Sequence, residues 1–183
     1  MSSKRRQNMS EAEKARKSQA AREEIRVVGD PVLRERAPDV TNFDSKLRQL
    51  AFHMIEVMHD APGMGLAATQ LGVVQRVLVY EIEDDQPRIL VNPHILLYSD
   101  EKEVHDEGCL SVPDVTVPVE RSLGIEVEAA DLHGNVTLFH ADDMEARVIQ
   151  HETDHLDGVL ILDRTTRKER AAALREMRER MFA

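Results

Sequence analysis

The sequence predicts an α+β fold: mainly antiparallel sheets packed around a central helix, with an N-terminal helix and a C-terminal helix. Three observations predict it. Leu47, Leu50, Ala51, Met54, Ile55 and Met58 recur at helical spacing between Asp44 and Asp60. The segments that follow are rich in Val, Ile, Leu and Tyr and read as strands, among them a hairpin over residues 124–141. Two helical patterns then close the chain, so the order is helix, strands, helix, helix.

The 183 residues suffice for one domain with a real core and are too few for two ordinary ones. Aromatic residues make up 3% and tryptophan is absent, so the core must be mostly aliphatic. The single cysteine, Cys109, cannot close an internal disulfide, which favours a reducing compartment; it is either a small buried hydrophobe or a working thiol. No stretch approaches the roughly 18 apolar residues of a membrane span, and the N-terminus lacks the apolar core of a secretory signal. The net charge of −10 is uneven: residues 1–24 hold seven Lys or Arg against four Glu, and residues 164–183 seven against three. The body between them carries ten basic and 27 acidic residues, which argues against specific DNA binding.

Residues 1–24 have almost no large apolar side chains. Ser10-x-x-Glu13 offers a helix cap there, but nothing to pack the helix, so this stretch reads as an appended charged extension, flexible or helical. "IRVVGDPVLRERAP" opens the folded segment, with a turn at Gly29-Asp30-Pro31. Pro62-Gly63 stops the 44–60 helix. "VVQRVLVYEIE" (73–83) and "RILVNPHILLYS" (88–99) read as strands. In 124–141 the alternation of Ile125, Val127 and Ala129 turns at His133-Gly134-Asn135 and returns. Asp142 or Asp143 caps a second helix from Met144 to about Leu156, ended by Gly158. Thr166-x-x-Glu169 caps a third, whose narrow apolar stripe is Leu174, Met177 and Met181. The expected division is an extension over 1–24, a catalytic domain over 25–165 and a basic helix over 166–183.

Gly63-x-Gly65-x-x-Ala68 fits the dinucleotide fingerprint, but a helix precedes it and a strand follows, the reverse of what that fingerprint needs. The glycines read instead as a loop of close approach feeding a strand. The stronger signal is His151-Glu152-Thr153-Asp154-His155. Histidines at i and i+4 share one helix face and can grip one metal ion, while Glu152, about 100° round the helix, is placed as a general base. Met144, Val148, His151 and His155 fall on one stripe, so both imidazoles are expected on the apolar, inward face. A catalytic metal needs a third protein ligand. Six residues beyond His155 stands Ile161, which cannot ligate; Glu169, Glu176 and Glu179 lie among arginines; Cys109 in "DEGCLSVPD" remains, in a segment that Gly108 and Pro113 mark as irregular. Cys109, His151 and His155 with an open fourth position make a sensible tetrahedral site.

Three stretches in this order and spacing, Gly63–Gln70, Glu107-Gly108-Cys109-Leu110-Ser111 and His151–His155, resemble peptide deformylases. So do the lead-in "DPVLRERAPDV" and the tail "HLDGVLILDR", and the resemblance covers roughly residues 25–165. It implies a cytoplasmic hydrolase that removes the formyl group from the N-terminal formyl-methionine of nascent chains, releasing formate. It also implies one divalent metal per chain, natively Fe2+ and replaceable by Zn2+, Ni2+ or Co2+, held by Cys109, His151 and His155. Glu152 would be the general base and acid, and the Gln70 amide with the Leu110 backbone N–H would bind the oxyanion. Gly63, Gly65, Leu66, Glu107 and Gly108 would lie along the substrate. Glu107 either pairs with a cation such as Arg121 or is a plain surface carboxylate. Met64, Thr69, Asp114 and Ser122 depart from the family's usual residues. Two rival readings remain: a metallopeptidase with a downstream glutamate ligand, and a non-catalytic relative that binds nascent chains or ribosomes. The C-terminal helix, basic as it is, would be the ribosome contact, and no membrane or specific DNA partner is expected.

Overall fold

The computed structural model describes residues 9–82 and 86–181, so Glu83 at the end of the 73–83 segment and the first eight residues of the extension lie outside the described residues. Helix α1 spans Glu11–Glu24, α2 Ser45–Asp60, α3 Asp143–Leu156, α4 Ile161–Arg164 and α5 Arg167–Met181. The strands are β1 Gly65–Ala67, β2 Val77–Tyr80, β3 Arg88–Tyr98, β4 Lys102–Cys109, β5 Val112–Ser122, β6 Gly124–Ala130 and β7 Val136–Asp142. Five of them form one sheet in the order β1-β2-β3-β6-β7, while β4 and β5 form a separate ribbon. Every pairing is antiparallel.

The alternation along β2 explains the layers. Val77 and Val79 join α2 through Leu47, Met54, Val57 and Met58. Leu78 and Tyr80 face the other way and pack with Ile125, Val127, Ile149 and Leu156. A third cluster joins Val112, Val115, Val117 and Val119 of β5 to Ile161, Leu162 and Ala173, with Met177 against it. The helix α3 thus lies between the sheet and the ribbon, and Arg147 binds it to the ribbon through the carbonyls of Val119 (3.2 Å) and Glu103 (2.8 Å).

Several elements differ from the sequence expectation. The extension is packed: Ser10 caps α1 in a reciprocal capping box, and Ala21 and Ile25 are buried against the α2 cluster. A small alanine on an otherwise polar helix suffices for close approach, which a search for large apolar residues overlooks. Strand β2 begins only at Val77, because Gly72 takes a left-handed φ of +77° and turns the chain after Leu71. Within β3, Asn92 at φ +52° makes a bulge whose side-chain amide pairs with both backbone groups of Val40. Cys109 ends a regular strand, with the irregularity confined to a register shift between Gly108 and Cys109, and Pro113 sits inside β5. The solvent-facing residues Glu103, Val104, His105 and Asp106 hide that strand from composition. On α5, Ala173 and Met177 face the ribbon while Leu174 is exposed.

Candidate active site

The ribbon and α3 bring the three candidate ligands together. The Sγ of Cys109 and one imidazole nitrogen from each of His151 and His155 all lie within 4.8 Å of one another. Cys109 Sγ and His155 Nε2 are 3.2 Å apart. The Nδ1 of His151 lies 3.0 Å from a Glu107 oxygen; a carboxylate only accepts, so Nδ1 carries the proton and Nε2 is left as the ligand atom. The Ser111 N–H donates to the Cys109 sulfur at 3.4 Å. A soft sulfur and two imidazoles, one of them oriented by Glu107, fit a divalent transition metal. Among the described residues no other group of three or more such side chains comes together, and Glu169, Glu176 and Glu179 take no part.

Beneath these ligands runs a buried charge network. Glu107 accepts from Arg121 Nε and Nη2, both at 3.0 Å, and from Arg147 Nη1 at 2.7 Å. Asp154 takes the remaining Arg121 nitrogen at 2.5 Å and Arg164 of α4 at 3.0 and 2.5 Å. Burial would raise the Glu107 carboxyl, but His151 and Arg121 hold it at about 2. Its carboxylate is therefore held in place to orient His151; Arg147, which pairs with it, and Asp154, which pairs with its partner Arg121, were missed in the sequence. Arg147 stands four residues before His151, on the same helix face, and that spacing was the available signal.

Glu152 is buried, and its Oε2 has no protein partner among the described residues. Burial pushes its carboxyl up to about 7. Gln70 lies in a single 3-10 turn, Ala68–Leu71, and not at a strand start. Its Oε1 accepts the Ala67 N–H at 2.8 Å, and its Nε2 donates to Ser111 Oγ at 3.1 Å and lies 3.9 Å from the Cys109 sulfur. The amide is thereby fixed with its nitrogen towards the ligands. The Leu110 N–H, in the turn after Cys109, has no acceptor among the described residues.

A groove of about 800 Å³ opens over this centre, lined by Gly63, Met64, Gly65, Gln70, Gly108, Cys109, Leu110, His151 and Glu152 among others. Leu66 does not line it; its side chain is fully buried in the α2 cluster. The Met144–Val148–His151 stripe faces the groove rather than the core, and Met144 is exposed. The core face of α3 is instead Ala146, Ile149 and Leu156, joined by Val148 at its edge. The unusual residues find roles. Thr69 Oγ1 donates to the His155 carbonyl at 3.1 Å, Ser122 Oγ to the Ser99 carbonyl at 3.0 Å, and Asp114 occupies a left-handed turn at φ +64° that otherwise favours glycine.

A family model described as polypeptide deformylase matches residues 22–171. The peptide deformylase of Acidothermus cellulolyticus is 46% identical over 159 residues, 87% of either chain. That of Dictyoglomus thermophilum is 50% identical over 141 residues, 77% of this chain and 91% of its own. Among solved structures, the peptide deformylase from Thermotoga maritima aligns with a TM-score of 0.76 at 46% identity, covering 78% of this chain and 96% of that one. A peptide deformylase from Synechococcus elongatus in complex with actinonin aligns with a TM-score of 0.80 at 40% identity, over 83% and 85% of the two chains. The chain belongs to the polypeptide deformylase family.

Proposed function

We propose a division of labour for this polypeptide deformylase, a metal-dependent hydrolase that removes the formyl group from the N-terminal formyl-methionine of newly made proteins and releases formate. The observation that carries it is the convergence of Cys109, His151 and His155 within 4.8 Å, at a groove lined by Cys109, His151, Glu152 and Gln70. Those three residues would hold one divalent cation, which supplies Lewis-acid activation of water and of the formyl oxygen. Glu152 takes the proton of the attacking water and delivers it to the leaving amine. A carboxyl near neutrality suits both directions of transfer. The Gln70 Nε2–H and the Leu110 N–H meet the charge that develops on the formyl oxygen, and both are fixed before the reaction begins. Glu107 keeps His151 in the ligating tautomer.

Fe2+ is the ion we assign, with Zn2+, Ni2+ or Co2+ as working substitutes, since a thiolate and two imidazoles accept all four. The catalytic segment is residues 25–165, followed by a basic helix that carries a ribosome contact through its excess of arginines. A cytoplasmic setting follows from a nascent-chain substrate; among the described residues no helix is long and apolar enough to cross a membrane. The test is formate release from a formyl-methionyl peptide by protein loaded anaerobically with iron, repeated with nickel. Absence of formate in both would overturn the reading, whereas cleavage of an internal peptide bond would point to a peptidase.

A further inference from the structure

The groove extends past the metal ligands to side chains from both terminal helices. Arg22 of α1 lines it beside Val27, Pro62 and Gly63, and Glu176 and Arg180 of α5 line it as well. The family match begins at residue 22 and ends at residue 171, so α5 supplies these two residues from beyond it and α1 lies almost wholly before it. The α1 helix is seated on α2. Ala21 and Ile25 are buried there, Glu24 meets His53 at 2.7 Å and Lys17 meets Asp60 at 3.9 Å. Arg22 is therefore held at the rim by a fixed helix end.

The groove's other guanidiniums are spoken for. Arg147 is bound to Glu107, and Arg180 is tied to Glu176 at 2.6 Å. Arg22 is exposed and has no acceptor among the described residues. It is the guanidinium on this groove without a carboxylate partner, in a body that is strongly acidic. A guanidinium fork matches a carboxylate in geometry as well as charge.

We propose that Arg22 is a specificity-determining residue that takes an acidic side chain of the substrate peptide downstream of the formyl-methionine. The proposal rests on the deformylase reading of the groove. A peptide leaving the ligands past Gly65 and Gly63 runs towards Pro62 and Arg22. An extended chain advances about 3.3 Å per residue, so one register of the peptide places its side chain at the rim.

The test uses the full metal-loaded chain and formyl-methionyl hexapeptides in which Asp or Lys is walked from the third to the sixth residue. The quantity read is the Asp-over-Lys ratio of kcat/KM at each register. Arg22→Glu replaces an attraction by a repulsion, so the ratio should fall about three- to tenfold at one register, mainly through KM and less at high salt. Arg16→Glu is the control: Arg16 lies on the same helix with Ala15, Gln19 and Glu23, away from the groove, and its ratio should match the parent. An Arg22→Glu ratio within about twofold of the parent at every register would overturn the proposal, as would an equal shift in Arg16→Glu. A parent chain that releases no formate from any of these peptides would overturn the deformylase reading itself.

Discussion

Gly65 and Glu152 are fitted to one another: a β-carbon on Gly65 would stand 2.5 Å from Oε1 of Glu152, 2.8 Å from its Cγ and 2.9 Å from its Cδ. The sequence suggests that the glycines admit the substrate. At Gly65 the space is taken by the carboxylate, and at Gly63 a β-carbon would meet Leu110 Cδ1 at 2.9 Å. Strand β1 cannot retreat, because Gly65, Leu66 and Ala67 are paired with Tyr80, Val79 and Leu78. Gly65→Ala should therefore displace Glu152 and lower kcat by roughly 10²-fold, the usual cost of a misplaced catalytic group. Metal content should stay at the parent level. Near-parental turnover in this variant would show that Glu152 has room to move without loss.

Glu152→Gln keeps the size of the side chain and removes the carboxylate that we assign as proton acceptor. Turnover should fall about 10²–10⁴-fold with the metal retained. Cys109→Ala should do the opposite at the level of composition, losing most of the metal. Elemental analysis of both proteins separates base from ligand, and full occupancy in Cys109→Ala would refute the ligand set.

Gln70→Leu removes the donor that we assign to the formyl oxygen, and kcat should drop about 10²–10³-fold. The structure adds a second effect. Leucine also leaves the buried Ala67 N–H and the Ser111 hydroxyl without their partner, at a stability cost of about 1–3 kcal/mol. Both changes are measurable on one preparation, by thermal unfolding and by turnover per bound metal. A rate near the parent's, with a lower melting temperature, would make Gln70 purely structural.

Asp163 links α4 to the turn over Pro31–Arg34. Partial burial would raise its carboxyl, but the Arg34 guanidinium and the Leu160 N–H hold it below the ordinary value. A carboxyl depressed in the folded state stabilises the protein above the ordinary carboxylate pKa, and that contribution disappears as pH falls through the depressed value. Unfolding free energy followed from pH 6 to pH 3 should fall less steeply in Asp163→Asn than in the parent. Parallel curves would show that Arg34 contributes nothing to acid stability.

What the sequence revealed of this fold follows from where its signals are strong. The α2 and α3 helices and the β6–β7 hairpin carry clear periods, and their bounds fall within a residue or two of expectation, although Asp142 at the start of α3 makes no side-chain cap. His151-x-x-x-His155 was legible because one helix sets the spacing by itself. The ribbon was not, because Lys102–Cys109 is polar along its exposed length and owes its strand conformation to pairing with β5. Arg147 offered only its spacing from His151 as a signal and Asp154 offered none, since tertiary packing aims them at Glu107 and Arg121. Arg22 escaped for the same reason: nothing in a charged helix tells which of its arginines ends up over a groove.

Glu107 couples the site to the fold, and its replacement separates the two. Four nitrogens converge on its carboxylate: two from Arg121, one from Arg147 and the Nδ1 of His151. Glu107 and these three side chains are buried or nearly so. Glu107→Gln preserves the shape but removes the negative charge and turns one oxygen into an N–H donor: the remaining oxygen can still accept from Arg147 and Arg121 Nε, while Arg121 Nη2 and His151 Nδ1 lose their acceptor. Breaking a buried pair from one side strands a charge, so the loss should reach about 3–5 kcal/mol in unfolding free energy. His151 also loses the acceptor that fixes its tautomer, which should weaken metal binding about 10–100-fold. Arg147→Met offers the comparison: it removes one cation from the cluster but leaves the His151–Glu107 contact intact. It should cost stability without loosening the metal to the same degree. Equal metal loss in the two variants, measured by competition with a chelator, would show that the network acts on the site only by holding the fold together.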